Sequence, residues 1–97
     1  MTITALLELT LKADSVADAP RILTQTLEAT RAFVGNQGVE VLYDVTDPAH
    51  VVVIERWASL DDDDAYRRWR ATPEGASGLG ALLAERPRLT RWNSSSS

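Results

Sequence analysis

Cysteine is absent from the 97 residues of the chain. That absence removes disulfides, thiolate nucleophiles, iron–sulfur clusters and thiolate zinc sites together. Histidine occurs once, as His50, so one chain cannot build a two-histidine metal site. No apolar run approaches the roughly 18 residues of a membrane helix. The N-terminal residues lack a basic segment followed by an apolar one, so no secretory signal is expected. Positive charge is scarce: 10 Lys and Arg stand against 14 Asp and Glu, for a net charge of -4. The densest basic stretch, Arg67, Arg68 and Arg70, follows a run of four aspartates. Phosphate recognition needs a clustered positive surface, so neither nucleic acid nor a membrane is an expected partner. A cytoplasmic protein fits these absences.

What is present describes one modest domain. The chain is 44% hydrophobic and 25% charged, as soluble domains are. A domain of this size buries roughly 60–65% of the surface its unfolded chain exposes. Thr2 to Leu11 alternates, with Ile3, Ala5, Leu7, Leu9 and Leu11 on one face, which is the period of a strand. After a polar turn, Asp18 is placed to cap a helix that tolerates Pro20 in its first turn. Ile22, Leu23, Leu27, Thr30, Phe33 and Val34 give that helix its apolar face, and Gly35-Asn36 is expected to end it. Val39, Val41, Tyr43 and Val45 then alternate. Thr46 to Ala49 has turn chemistry, and Val51 to Trp57 is nearly continuous apolar sequence, so the pair reads as a β-hairpin.

Ser59 opens a second helix with Asp62 three residues on, in capping-box spacing. Asp61 to Asp64 lie where a helix dipole favours negative charge, and they read as a solubilising run. Ala65, Tyr66 and Trp69 share one face of this helix, which stops before Pro73. Glu74 to Gly80 reads as a loop, Ala81 to Ala84 as a short helical turn with Leu82 and Leu83 inward, and Arg88 to Trp92 as a last strand. Residues 93–97 read as a disordered polar tail after a 1–92 domain. The order β-α-β-β-α-β is the ferredoxin-like α+β unit, a four-stranded antiparallel sheet with two helices on one face. The other face then carries Leu6, Leu42, Val52 and Ile54, flanked by Thr4, Glu8, Glu40, Asp44 and Arg56. An apolar centre with a polar rim calls for a partner, and a symmetric sheet-to-sheet homodimer supplies one.

Several segments resemble the antibiotic biosynthesis monooxygenase family in order and spacing: Leu7 to Lys12 in the first strand, Gly38 to Asp44 opening the hairpin, Asp47-Pro48 in its turn, Val53 to Ser59 with Glu-Arg-Trp-Ala-Ser, and Ala65 to Trp69. The resemblance covers about residues 3 to 92. It implies a dimeric α+β barrel of ferredoxin-like protomers, with a pocket between each sheet and its helices. The best-understood members oxidise polycyclic aromatic polyketides, anthrones to quinones, with O2 and without metal, flavin or haem. Other branches degrade haem or act as isomerases. The haem-degrading branch needs a histidine and an asparagine where this chain has Leu79 and Leu7.

Oxygenation without a cofactor needs an electron-rich phenolic or polyketide-like substrate, a base, and a pocket that excludes water. The expected catalytic residues are Trp57, Glu55 and Tyr43. Trp57 shares strand parity with Val51, Val53 and Glu55, and its indole suits stacking on a planar ligand. Glu55 in an apolar pocket would have a raised pKa suited to proton abstraction; the rival expectation is an ion pair with an arginine such as Arg88 or Arg91. Tyr43 would orient a substrate oxygen or take its proton. Trp69, Tyr66, Val53 and Leu7 are the expected substrate-binding residues, although Trp69 stands where many members carry histidine. His50, in or beside the hairpin turn, is expected to be solvated and a weaker candidate base. No cofactor and no metal are expected. The alternatives left open are an isomerase or cyclase on the same scaffold, and a non-catalytic dimer that binds a small molecule.

Overall fold

The computed structural model describes residues 2–94. Strand β1 (Thr2–Thr10) is followed by helix α1 (Ala19–Ala32), strands β2 (Asn36–Tyr43) and β3 (His50–Trp57), helix α2 (Leu60–Arg70) and strand β4 (Arg88–Ser94). The strands form one antiparallel sheet in the order β2-β3-β1-β4. The two central strands are the ones whose alternation is cleanest in sequence. In β3, Val51, Val53, Glu55 and Trp57 all point to the helices and are buried. In β1, Ala5 and Leu9 do the same. This is the ferredoxin-like α+β fold, and both helices lie on one side of the sheet.

Helix α1 buries Ala19, Leu23, Leu27 and Thr30, a four-four-three spacing that lays one stripe on the sheet. Pro20 sits in its first turn, where a missing N–H costs nothing. Asp18 precedes the helix but makes no side-chain cap. The helix ends at Ala32, earlier than the Gly35-Asn36 expectation, because Phe33 already takes extended backbone. Val34 is consequently exposed and outside the core. Gly35 adopts a left-handed conformation, with φ +88. A Cβ there would also fall 2.3 Å from Asp62 Cγ, so the close approach of α2 reinforces the demand for glycine. Val45 lies past the end of β2 and is exposed. There the turn is set by side chains: Asp44 accepts from the Thr46 N–H and Asp47 from the Ala49 N–H.

Helix α2 starts as its capping sequence requires, with Ser59 Oγ accepting from the Asp62 N–H at 3.1 Å. The aspartate run is expected from sequence to be a solubilising one, but it is not uniformly solvated: Asp63 is fully buried. A short 3₁₀ turn forms at Gly78–Leu82, a few residues ahead of the expected 81–84. It is tied to the end of β1 by a Leu11–Leu83 bridge and by Lys12 N to Leu82 O and Ala84 N to Thr10 O, each 2.8 Å. Strand β4 runs two residues past Trp92, since Asn93 pairs with Ile3 and Ser94 with Thr2. The remainder of the expected tail, 95–97, lies outside the described residues.

Two clusters form the core. One joins Leu9, Leu11, Leu23, Leu27, Val51 and Val53 under α1. The other gathers Ala5, Trp57 and Tyr66, with Ile3, Phe33 and Trp69 packed against them, under α2. The site lies where the two meet.

Candidate functional site

A cavity of about 580 Å³ opens between the sheet and the helices, within the range of roughly 300–1,000 Å³ usual for small-molecule sites. Its floor is the middle of the sheet. Leu7 of β1 pairs with Val53 of β3, and both line the cavity together with Glu55. Thr26 and Leu27 of α1 form one wall, and Tyr66, Arg67 and Arg70 of α2 the other. The chain from Ser77 to Pro87 closes the third side, with Leu79 and Leu83 facing in and Glu85 and Arg86 at the rim. That segment holds its place through the 3₁₀ turn and its clip to β1.

Glu55 is 1% exposed and is the buried acid of this cavity, Glu85 standing at its rim. Period two sends it inward beside Val53 and Trp57, between Ala5 and Val39 on the neighbouring strands. Its Oε1 accepts from Trp57 Nε1 at 3.3 Å and from Arg67 Nη2. Among the described residues no partner is found for Oε2. Burial pushes the Glu55 carboxyl above the usual glutamate range, more than Arg67 and Trp57 draw it back. The expected ion pair with an arginine forms, but its partner is Arg67 rather than Arg88 or Arg91. Arg88 stands opposite Glu8 in the sheet register and is exposed, while Arg91 is held by Asp63 and Asp64.

The helical wall is fixed by Arg70. Its Nε donates to Tyr66 Oη at 2.7 Å and its Nη1 to Gly75 O at 3.1 Å. Its Nη2 donates to Thr26 O at 2.7 Å and Thr30 Oγ1 at 2.9 Å. Thr30 Oγ1 and Tyr66 Oη are themselves 2.6 Å apart and share a hydrogen bond. One guanidinium therefore joins α1, α2 and the loop after α2. It also stacks 4.9 Å from the Trp69 ring centre and 5.1 Å from that of Tyr66. Gly75 is the one residue type that fits there, since a Cβ would lie 2.0 Å from Trp69 O.

The structure brings Leu7, Val53, Glu55 and Tyr66 to the cavity wall. Trp57 stands behind it, with no exposed surface, edge-on to Phe33 at 6.2 Å and 4.9 Å from Tyr66. It reaches the cavity through its hydrogen bond to Glu55. Trp69 lines an adjoining depression of about 340 Å³ instead, which shares Thr26, Arg70 and Ser77 with the main cavity. Tyr43 is not brought to the site: it sits at the end of β2 opposite Val51, 47% exposed. His50 faces away from the helices, with Nδ1 2.9 Å from Asp44 Oδ2 and Nε2 3.4 Å from Glu8 Oε1. Asp44, with Glu8 behind it, holds the imidazole pKa above its ordinary value. Sequence reasoning passed over Arg67, Arg70 and Asp63. The available signal was the four-residue spacing of Asp63 with Arg67 and of Tyr66 with Arg70. Among the described residues no group of three or more His, Cys, Asp or Glu is placed to hold a metal ion, and no helix is long and apolar enough to cross a membrane.

The sheet, its two helices and the buried carboxylate in a cavity between them make this a ferredoxin-like α+β domain. The family model described as antibiotic biosynthesis monooxygenase matches residues 2–77, and the chain belongs to that family. Solved structures share the fold at low identity. SnoaB of Streptomyces nogalater, described as a cofactor-independent oxygenase, superposes with a TM-score of 0.79 at 18% identity, over 99% of this chain and 95% of that one. A Deinococcus radiodurans protein bearing the family's name gives 0.78 at 23% identity, over 100% and 95%. A conserved protein of Methanosarcina mazei gives 0.83 at 14% identity, over 98% and 94%. No curated protein matches the sequence.

Proposed function

We propose that the protein is a cofactor-independent monooxygenase that oxidises a planar, phenolic or polyketide-like molecule with O2, and that Glu55 is its base. The observation that carries this reading is a carboxylate, buried and raised in pKa, on the floor of an apolar cavity. Family membership and the description of SnoaB support the reaction type. Glu55 takes a proton from an acidic carbon or hydroxyl of the substrate. In an anthrone-like compound the resulting carbanion passes an electron to O2, and recombination gives a peroxide that Glu55 reprotonates. Loss of the second hydrogen from that carbon with cleavage of the O–O bond leaves a carbonyl and releases water, so one O2 and one methylene give one ketone and one water. Leu7, Val53, Leu27 and Leu83 keep the carbanion from water. Tyr66 orients the ring system, and Trp57 holds Glu55 from behind.

The dimer belongs to the same reading. Leu6, Val52 and Ile54 lie at the centre of the open sheet face, with Leu42 and Trp92 exposed beside them. A second copy of the chain, sheet to sheet, covers that patch. The reaction is tested by oxygen uptake with metal-stripped protein and a panel of anthrones, naphthols and hydroquinones. Uptake above the spontaneous rate, surviving chelator and placing one atom of ¹⁸O2 in the product, is the expected result. Substrate turnover without oxygen consumption would replace the proposal with an isomerase or cyclase.

A further inference from the structure

Glu55 is the inner end of a chain of charges that continues through α2 to the outer strand. Arg67 donates to Glu55 Oε1, and its Nε lies 2.9 Å from Asp63 Oδ1. Arg91, on β4, reaches Asp63 Oδ2 from the other side at 3.5 Å and also bonds Asp64. Asp63 has no exposed surface. The Arg67 N–H is not aimed at it, and neither of its oxygens completes a hydrogen bond. A buried carboxylate held only by charge is costly to keep, and its position between two arginines is what it offers in return. Three carboxylates, Glu55, Asp63 and Asp64, share two cations. Whatever Asp63 takes from Arg67 is withheld from Glu55, and whatever Arg91 gives to Asp63 is returned to it.

We propose that Asp63, backed by Arg91, is a positioning residue that holds Arg67 against Glu55 and sets how strongly Glu55 takes up the substrate proton. The inference rests on the reading of Glu55 as the base. The charged and titratable groups facing Glu55 are few. Helix α2 supplies Asp63, Tyr66, Arg67 and Arg70, β4 supplies Arg91, and the rim supplies Glu85 and Arg86. The neighbouring strands place only Ala5 and Val39 beside it. Asp63 is the one acid among these that contacts the same arginine, so its charge acts on Glu55 directly and through Arg67 in the same sense.

The test reads Glu55 itself. Protein labelled with ¹³C at the glutamate carboxyl is titrated by NMR, and the Glu55 signal is identified by its absence in Glu55→Gln. Asp63→Asn keeps the shape of the side chain and removes its charge, so the Glu55 midpoint should fall by about one pH unit. Arg91→Met leaves Asp63 dependent on Arg67 alone, so the midpoint should rise. The double variant should resemble Asp63→Asn, because Arg91 acts on Glu55 through Asp63 and its loss has no route once that charge is gone. If Asp63→Asn does not fold, Arg91→Met still decides, because Arg91 is partly exposed and Asp63 keeps Arg67. Midpoints that stay put in both single variants, or move together, overturn the inference. With an active substrate, the acid limb of kcat/KM should follow the NMR midpoint while KM stays unchanged. Because the NMR titration needs no turnover, opposed shifts in a protein that consumes no oxygen would leave this inference standing and remove the monooxygenase reading.

Discussion

Replacing Arg70 with methionine should be among the most damaging single changes outside the apolar core. The guanidinium donates four hydrogen bonds, to Tyr66, Gly75, Thr26 and Thr30. Hydrogen bonds from a charged donor contribute about 1.5–3 kcal/mol each when the partner is left unsatisfied. The sum is not realised: Thr26 O is a helix carbonyl with a second suitor, the Tyr66 and Thr30 hydroxyls keep each other, and burying the guanidinium has its own cost. A net loss of about 2–4 kcal/mol remains. Methionine retains the packing on Trp69, so the loss belongs to the polar network. With a urea m-value near 1.5 kcal/mol/M, the unfolding midpoint should fall by roughly 1.3–2.7 M. Arg70→Lys should rescue little, since an ammonium cannot span four acceptors on three elements. A methionine variant within 0.5 M of the parent, or full rescue by lysine, would refute the claim that the fork geometry of this residue joins α1 to α2.

Other outcomes follow from the same contacts. Trp57→Phe removes one ring of a buried indole and the donor to Glu55, and should cost about 1.5 kcal/mol, lowering Tm by roughly 6–12 °C in a calorimetric scan; an unchanged Tm would mean the indole is not packed as described. His50 has a folded-state pKa raised above 6.5 by Asp44 and Glu8. The folded protein therefore holds that proton more tightly, and the stability it contributes is complete below 6.5 and is lost as pH rises through the raised value. The urea midpoint should decline across that window, less so in high salt, and His50→Gln should flatten the decline. Ile54→Glu places a charge at the centre of the open sheet face. Sedimentation should show a dimer for the parent and a folded monomer for the variant; a monomeric parent would remove the proposed interface.

The fold was largely legible because its two central strands obey period two, α1 carries an apolar stripe and α2 carries its Ser59 cap. Where the reading overshot, it extended an apolar pattern beyond its element: Val34 continues the α1 stripe and Val45 the β2 alternation, yet backbone turns put both into solvent. The site was legible only in part. Leu7, Val53 and Glu55 follow from strand parity, and Tyr66 from helix periodicity. Asp63 and Arg70 were hidden because charged residues at helical spacing look like a wet face; which of them is buried depends on how far α2 rolls onto the sheet, and a period does not encode that roll. The third wall of the cavity was hidden for a different reason. Residues 77–87 have little periodicity, and their place comes from the clip between Leu83 and Leu11. Tyr43 has the parity of Val41 but is the last residue of β2, where it is left half exposed.

The most direct measurement is the rate of oxygen consumption by the parent and by Glu55→Gln, on the best substrate of the panel, in the presence of chelator. Glutamine keeps the volume and the Trp57 contact but cannot take a proton. Chelator-resistant uptake by the parent and a loss of about 10²–10⁴-fold in the variant are expected, with ligand binding, followed by tryptophan quenching, retained. Equal rates for parent and variant would contradict the assignment of Glu55 as the base of this site.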